Sequence, residues 1–210
     1  MGLDMVIIGL TGGIGAGKSS VSRVLARAGA IIIDAALVGH EAYHPDTATW
    51  RAVSQTFGPN ILLPDNQVDR KKLGEIVFND PSAIAKLNAI MRPAIKMVLA
   101  ERLKAASDRG DKVAVLDSAT LIEAGWTSLV DEVWLVLSPK ETVAQRLRER
   151  NSLSDDAIKA RIASQIKDEE RVGHADVVIQ NNGTLEELAK AVEALWAERI
   201  EAKVKNNGAP

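Results

Sequence analysis

Gly12-Gly13-Ile14-Gly15-Ala16-Gly17-Lys18-Ser19 has the spacing G-x-x-x-x-G-K-[ST]. A run of this kind binds a polyphosphate. Its glycines let the chain wrap until successive N–H groups point at one anion. A helix opening at Lys18 brings its positive N-terminus to the same place. Lys18 puts a point charge on the β- and γ-phosphates, and the Ser19 hydroxyl offers an oxygen to Mg²⁺.

Other residues are of types that can serve such a site. Val113-Ala114-Val115-Leu116 ends in Asp117, an apolar strand with an acidic tip, where a carboxylate holds Mg²⁺ directly or through water. In Gln145-Arg146-Leu147-Arg148-Glu149-Arg150, Arg146 and Arg150 stand four apart and share a helix face. Two guanidiniums there can meet a transferring phosphoryl group. The competing reading is a solvated surface salt-bridged through Glu149 and Asp155. His40-Glu41-Ala42-Tyr43-His44 has the zinc-hydrolase spacing H-E-x-x-H, which needs both imidazoles one turn apart on a helix. Pro45 disfavours helical backbone at His44, and the remaining histidine, His174, is distant in sequence. The nucleotide site is the stronger reading.

These residues must be carried by regular elements. Met5–Leu10, Ala30–Ile33, Val113–Leu116, Glu132–Leu137 and Val177–Ile179 read as strands, nearly continuous in apolar residues, as strands covered on both faces are. Helical periods lie between them: Val21, Val24, Leu25 and Ala28, then Ile84 through Leu103, with a kink expected at Pro93. Asp80-Pro81, Ser138-Pro139-Lys140-Glu141 and Thr184-Leu185-Glu186-Glu187 signal helix starts. Strand–helix alternation with little hairpin chemistry predicts a parallel, doubly wound α/β sheet. Trp126, Trp134 and Trp196 read as packing residues, and the chain from Lys203 onward as a frayed tail.

A chain of 210 residues suggests one domain with an appendage. The net charge of −2 disfavours a general electrostatic grip on nucleic acid or an anionic membrane. Zero cysteines exclude disulfides, iron–sulfur clusters and thiolate zinc sites. No apolar run reaches the roughly 18–20 residues of a membrane span, and Met1–Val6 lacks a basic leader, so a soluble cytoplasmic protein is expected.

Gly9-Leu10-Thr11-Gly12-Gly13-Ile14-Gly15, with its Gly-Lys-Ser ending, resembles the opening signature of the dephospho-coenzyme A kinases. Ile33-Asp34-Ala35 is similar to the start of that family's I-D-A-D element. Phe57-Gly58, Ile61-Leu62, Asp69-Arg70 with Leu73, and Ile76-Val77-Phe78 resemble its middle segment in order and spacing. Arg146–Arg150 and Ala175–Gly183 resemble its later elements, so the likeness runs from Val6 to Trp196. It implies ATP-dependent phosphorylation of the ribose 3′-hydroxyl of dephospho-coenzyme A, with Mg²⁺, in a monomer with no nucleic-acid or membrane partner. The implied architecture is a P-loop NTPase three-layer fold with a five-stranded parallel sheet. One domain would span 5–202: a core (5–33, 108–138, 173–202), a helical acceptor-binding region (34–107) and a small lid (139–172), with 203–210 a flexible tail. Residue by residue, the likeness implies catalytic roles for Lys18, Asp34 and Arg146. Gly12 through Ser19, then Ser20, Arg146, Arg150 and Asn181 would surround the nucleotide. Asp34, Arg70, Phe78, Arg92, Thr120 and Glu123 would meet the acceptor, and Ser19 and Asp117 the metal.

Departures from the pattern gather on the acceptor side. The second aspartate of I-D-A-D, the family's acceptor of the hydroxyl proton, is Ala36 here. The family's His-Pro is Arg92-Pro93, and its D-x-P-L-L-x-E is Asp117-Ser118-Ala119-Thr120-Leu121-Ile122-Glu123. Three readings follow: a kinase slowed by loss of its base, a nucleoside or nucleotide kinase with another acceptor, or a nucleotide-binding protein without catalysis. A general base contributes about 10²–10⁴-fold. Phosphoryl transfer rests mainly on positioning and charge, so the first reading leads.

Overall fold

The computed structural model of the protein describes residues 5–78, 80–151, 155–163 and 165–207. All five apolar runs form strands: β1 (Val6–Gly12), β2 (Ile31–Asp34), β3 (Val113–Asp117), β4 (Glu132–Leu137) and β5 (Val177–Gln180). They make one parallel sheet in the order β2-β3-β1-β4-β5. β1 runs two residues further than its apolar run, because Thr11 and Gly12 still pair with Leu135 and Val136. Its seven residues are all buried, which explains the unbroken apolar sequence.

Alternation then sorts the side chains. Val6, Ile8 and Leu10 of β1 join Val115, Trp134 and Ile179 in one cluster. Val21 and Leu25 from α1 (Lys18–Arg27) and Leu188 and Val192 from α9 (Leu185–Leu195) close over it. Each such side chain contributes about 1.5–3 kcal/mol on burial. On the opposite face, a Cβ at Gly9 would lie 2.6 Å from Leu121 and 3.0 Å from Val130, so glycine makes room for that layer.

Asp34–Arg102 forms one compact unit, and the flanking segments, through Ile33 and from Leu103, form the other. The 34–102 unit holds α2 (Ala35–Glu41), α3 (Ala48–Phe57), α4 (Arg70–Phe78) and most of α5 (Pro81–Asp108). Asp80 starts α5 as expected, accepting from the Ser82 N–H at 2.7 Å, and the helix continues through Pro93. Trp50 donates its indole N–H to the Asn66 carbonyl at 2.8 Å. Glu41 and Arg102 form an ion pair.

The remaining helices belong to the larger unit: α6 (Lys140–Asn151), α7 (Asp155–Ala163), α8 (Asp168–Val172) and α10 (Ala202–Asn207), with a π-helical turn at Trp196–Glu201. Thr184 and Glu187 make the expected capping box at α9. The frayed tail does not begin at Lys203. Lys203 is bonded to Glu132 and Val204 packs on the core, so helix α10 reaches Asn207, and 208–210 lie outside the described residues.

Glu132 ties the C-terminal segment to the sheet, beside the apolar packing of Ile200 and Val204. It is buried at the start of β4 and receives Arg199 Nε at 2.9 Å, Arg199 Nη2 at 3.1 Å, Lys203 Nζ, and the Trp134 indole N–H at 2.9 Å. Burial pushes its carboxyl upward, but these donors outweigh burial and pull it from an ordinary 4.5 to about 2. Glu132→Gln should therefore cost on the order of 2–3 kcal/mol at pH 7, measured by urea denaturation. Because the folded carboxyl is the stronger acid, its contribution is complete above about 4.5 and fades as pH falls towards about 2. The gap between the two proteins should close across that window.

Candidate functional site

β1 has β3 on one side and β4 on the other, so chain connections diverge at its carboxyl end, where open α/β sheets bind ligands. The loop Gly12–Lys18 leaves from that end. Gly12 is required because a Cβ would lie 2.7 Å from the Val136 carbonyl. Gly17 sits at φ 96°, a left-handed conformation, where a side chain would also collide with Asn181. Gly17 precedes α1 with no side-chain cap, so no capping oxygen competes with an anion for the first amides of that helix.

Lys18 forms an ion pair with Asp117, joining the loop to the tip of β3; both side chains are largely buried. Ser19 is exposed at the first turn of α1, and the Ser20 hydroxyl accepts from Arg23 at 3.2 Å. A hydroxyl and a carboxylate are hard oxygen donors of the kind Mg²⁺ takes, with phosphate and water oxygens completing its shell. Ser19 and Asp117 fit that ion.

The outer side of the loop is held by other segments. Arg146 Nη1 donates to the Gly15 carbonyl at 3.2 Å, to the Ala16 carbonyl at 3.4 Å and to Ser138 Oγ at 2.9 Å. Asn181 Nδ2 donates to the Ala16 carbonyl at 2.8 Å. Arg150 lies on α6, and its side chain is outside the described residues. Arg148, between the two, does bridge to Asp155 at 2.8 Å, so the surface reading holds for that arginine.

Residues the sequence reading missed complete this wall. Gln165 Oε1 accepts the Ile14 N–H at 2.9 Å. Arg171 is 2 % exposed and donates to Asp168 at 3.1 Å and to Glu123 at 3.2 Å. With the loop, they enclose a cavity of about 760 Å³. A buried arginine in the polar run Lys167–Arg171 shows no periodic signal; only an acidic partner elsewhere, here Glu123, hints at it.

The expected acceptor residues stand as follows. Glu123 is engaged by Arg171, and Thr120 is exposed, its N–H on Ser118 Oγ at 3.3 Å. Asp34 caps α2, accepting from Ala36 N at 2.7 Å and Leu37 N at 3.4 Å. Ala36 is exposed on the first turn of that helix. Arg70 opens α4, exposed; Phe78 ends it, 73 % exposed; Arg92 is half-buried on α5. Helix α2 ends at Glu41, so His40 and His44 do not share a helix face.

Because Arg146 braces two carbonyls of the loop at once, Arg146→Ala should loosen the loop itself. We expect nucleoside triphosphate binding, measured by calorimetry, to weaken about tenfold, near 1.4 kcal/mol. Unchanged affinity would show that the other braces suffice.

Comparison with known proteins agrees with this geometry. The family model described as dephospho-CoA kinase matches residues 6–187. A dephospho-CoA kinase of Geobacter sulfurreducens is 48% identical over 196 residues, covering 93% of this chain and 100% of that protein. A crystal structure from Thermus thermophilus superposes with a TM-score of 0.79 at 30% identity, covering 93% of this chain and 98% of the other. The dephospho-CoA kinase of Campylobacter jejuni gives a TM-score of 0.70 at 26% identity, again covering 93% and 98%. A phosphate loop braced from behind by Arg146 and Asn181, in a chain matched over nearly its whole length, belongs to the dephospho-CoA kinase family.

Proposed function

We propose that the protein transfers the γ-phosphoryl group of ATP to the ribose 3′-hydroxyl of dephospho-coenzyme A, giving coenzyme A and ADP. The observation that carries this reading is the phosphate loop, whose backbone is built for a polyphosphate, in a chain matched by the family model over residues 6–187. Lys18 and the amides that open α1 hold the β- and γ-phosphates, and Ser19 and Asp117 hold Mg²⁺, which neutralises phosphate charge when bound. Arg146 and Arg150 of α6 are assigned to the nucleotide side, Arg146 bracing the loop from behind together with Asn181. Asp34, Arg70, Phe78, Arg92, Thr120 and Glu123 are assigned to the acceptor. The protein acts as a cytoplasmic monomer.

Incubation with Mg-ATP and a panel of hydroxyl acceptors, followed by ADP release, tests the reading. Turnover with dephospho-coenzyme A alone supports it. Turnover only with a nucleoside moves the acceptor, and ATP binding without turnover leaves a binding protein. Lys18→Ala should lower kcat by on the order of 10²–10³, and the melting temperature should fall as well, since the largely buried Asp117 carboxylate loses its partner.

Ala36 supplies a sharper test. Asp34 ends β2, the helix begins at Ala35, and the Asp34 carboxylate is committed to capping it. Asp34 is therefore a poor stand-in for a base at position 36. Because Ala36 is exposed in the first helical turn, an aspartate fits there without collision and suits the helix dipole. Ala36→Asp should raise kcat with dephospho-coenzyme A at least about tenfold, near 1.4 kcal/mol of barrier, with little change in ATP affinity. No gain, with the acceptor bound, would mean that proton removal does not limit this enzyme.

A further inference from the structure

The Gly13–Ile14 peptide carries a constraint that the phosphate-loop motif does not explain. Its carbonyl, on Gly13, accepts the Ala16 N–H at 3.1 Å. Its N–H, on Ile14, is taken by Gln165 Oε1 at 2.9 Å, across 151 residues of chain. Both polar ends of one peptide plane are thus fixed, one from within the loop and one from outside it. Gln165 and Arg171 both sit against Gly13: a Cβ there would lie 3.4 Å from Gln165 Oε1 and 3.2 Å from Arg171 Nη1.

Rotation of this peptide about its own axis turns ψ of Gly13 and φ of Ile14: the glycine yields freely, whereas the β-branched Ile14 opposes a full turn but not a tilt. Without Gln165 the plane would tilt, strain the Ala16 N–H bond to the Gly13 carbonyl and misdirect the loop amides that follow. Gln165 is tied back to α7 through its own N–H, which the Ile162 carbonyl accepts at 3.2 Å. Arg171, on the adjacent α8, is buried and tied to Glu123 and Asp168, which anchors this segment against the chain that follows β3.

We propose that Gln165 is a positioning residue for phosphoryl transfer, which locks the Gly13–Ile14 peptide in the orientation that keeps the loop's amides aimed at the nucleotide. The kinetic part rests on the kinase reading above. The lock itself does not. Misplacement of donors costs more in the transition state than in ground-state binding, so the loss should fall mainly on kcat.

The test uses the full chain and three variants. Amide hydrogen exchange at Ile14, followed by NMR without nucleotide, should accelerate at least about tenfold in Gln165→Ala, with the amides of α1 unchanged. Gln165→Asn, one methylene too short, should behave like the alanine variant. Gln165→Glu, whose carboxylate accepts the same N–H, should keep Ile14 protected. In steady-state assays Gln165→Ala should lower kcat about 10–30-fold while KM for ATP changes less than about threefold. Unaltered Ile14 exchange in Gln165→Ala overturns the lock. Faster exchange with unchanged kcat, or equal losses in kcat and KM, overturns the positioning role. If the wild-type protein turns over no acceptor, the kinase reading fails, and Ile14 exchange still decides whether the lock exists.

Discussion

Backbone amides can be aimed at an anion only if the carbonyls of the same loop turn away from it, and every carbonyl turned away from water needs a donor. That requirement organises the carboxyl end of this sheet. The Ala16 carbonyl receives Asn181 Nδ2 at 2.8 Å, the Ser138 hydroxyl at 3.0 Å and, at the long limit of 3.4 Å, Arg146. Ser138 has one proton and stands within reach of two carbonyls, Ala16 and Asn181, while accepting from Arg146. Donors to the loop thus come from the ends of β4 and β5 and from α6. The strand order β1-β4-β5 is what brings those ends beside the loop.

The same requirement explains which glycines are indispensable. Gly12 lets β1 pass close under the Val136 carbonyl, and Gly17 adopts the left-handed turn that opens α1 against Asn181. Neither serves flexibility. Each is a place where a side chain would drive a donor or an acceptor out of the shell. Gly15, also at positive φ, faces Val143 and Leu147 instead, so α6 packs apolar side chains against the loop that its arginine braces.

Elements that depend on local pattern were legible in the sequence. The five strands, the capping box at Thr184 and the start of α5 at Asp80 follow from periodicity and cap chemistry within one turn of chain. The phosphate loop was legible too, because its spacing encodes its own backbone conformation. What stayed hidden are pairings fixed only by the folded chain. Nothing near Gln165 announces that its amide reaches Ile14, and Arg171 reads as one more charge in a polar run. Glu123 could be found from a resemblance, but its bond to Arg171 spans 48 residues and has no local signature. The tail was misread for a similar reason: Lys203 and Arg199 look solvated until Glu132, 71 and 67 residues earlier, is seen buried beneath them.

Glu132 and Ser138 bracket β4, and this links the C-terminal helices to the site. A six-residue strand spans about 20 Å and, paired on both sides, is among the stiffest connections a small domain offers. Its first residue is a buried carboxylate satisfied by Arg199, Lys203 and Trp134. Just beyond its last stands the hydroxyl that braces the Ala16 carbonyl. An unsatisfied carboxylate at the start of β4 would have to seek water, which the strand could accommodate only by shifting in register or tilting. Either movement carries Ser138 with it, and a hydroxyl displaced by half an ångström from 3.0 Å no longer makes a good hydrogen bond. β4 is thus anchored at its start by the ion cluster on Glu132 and followed at its end by the hydroxyl that stands beside the phosphate loop.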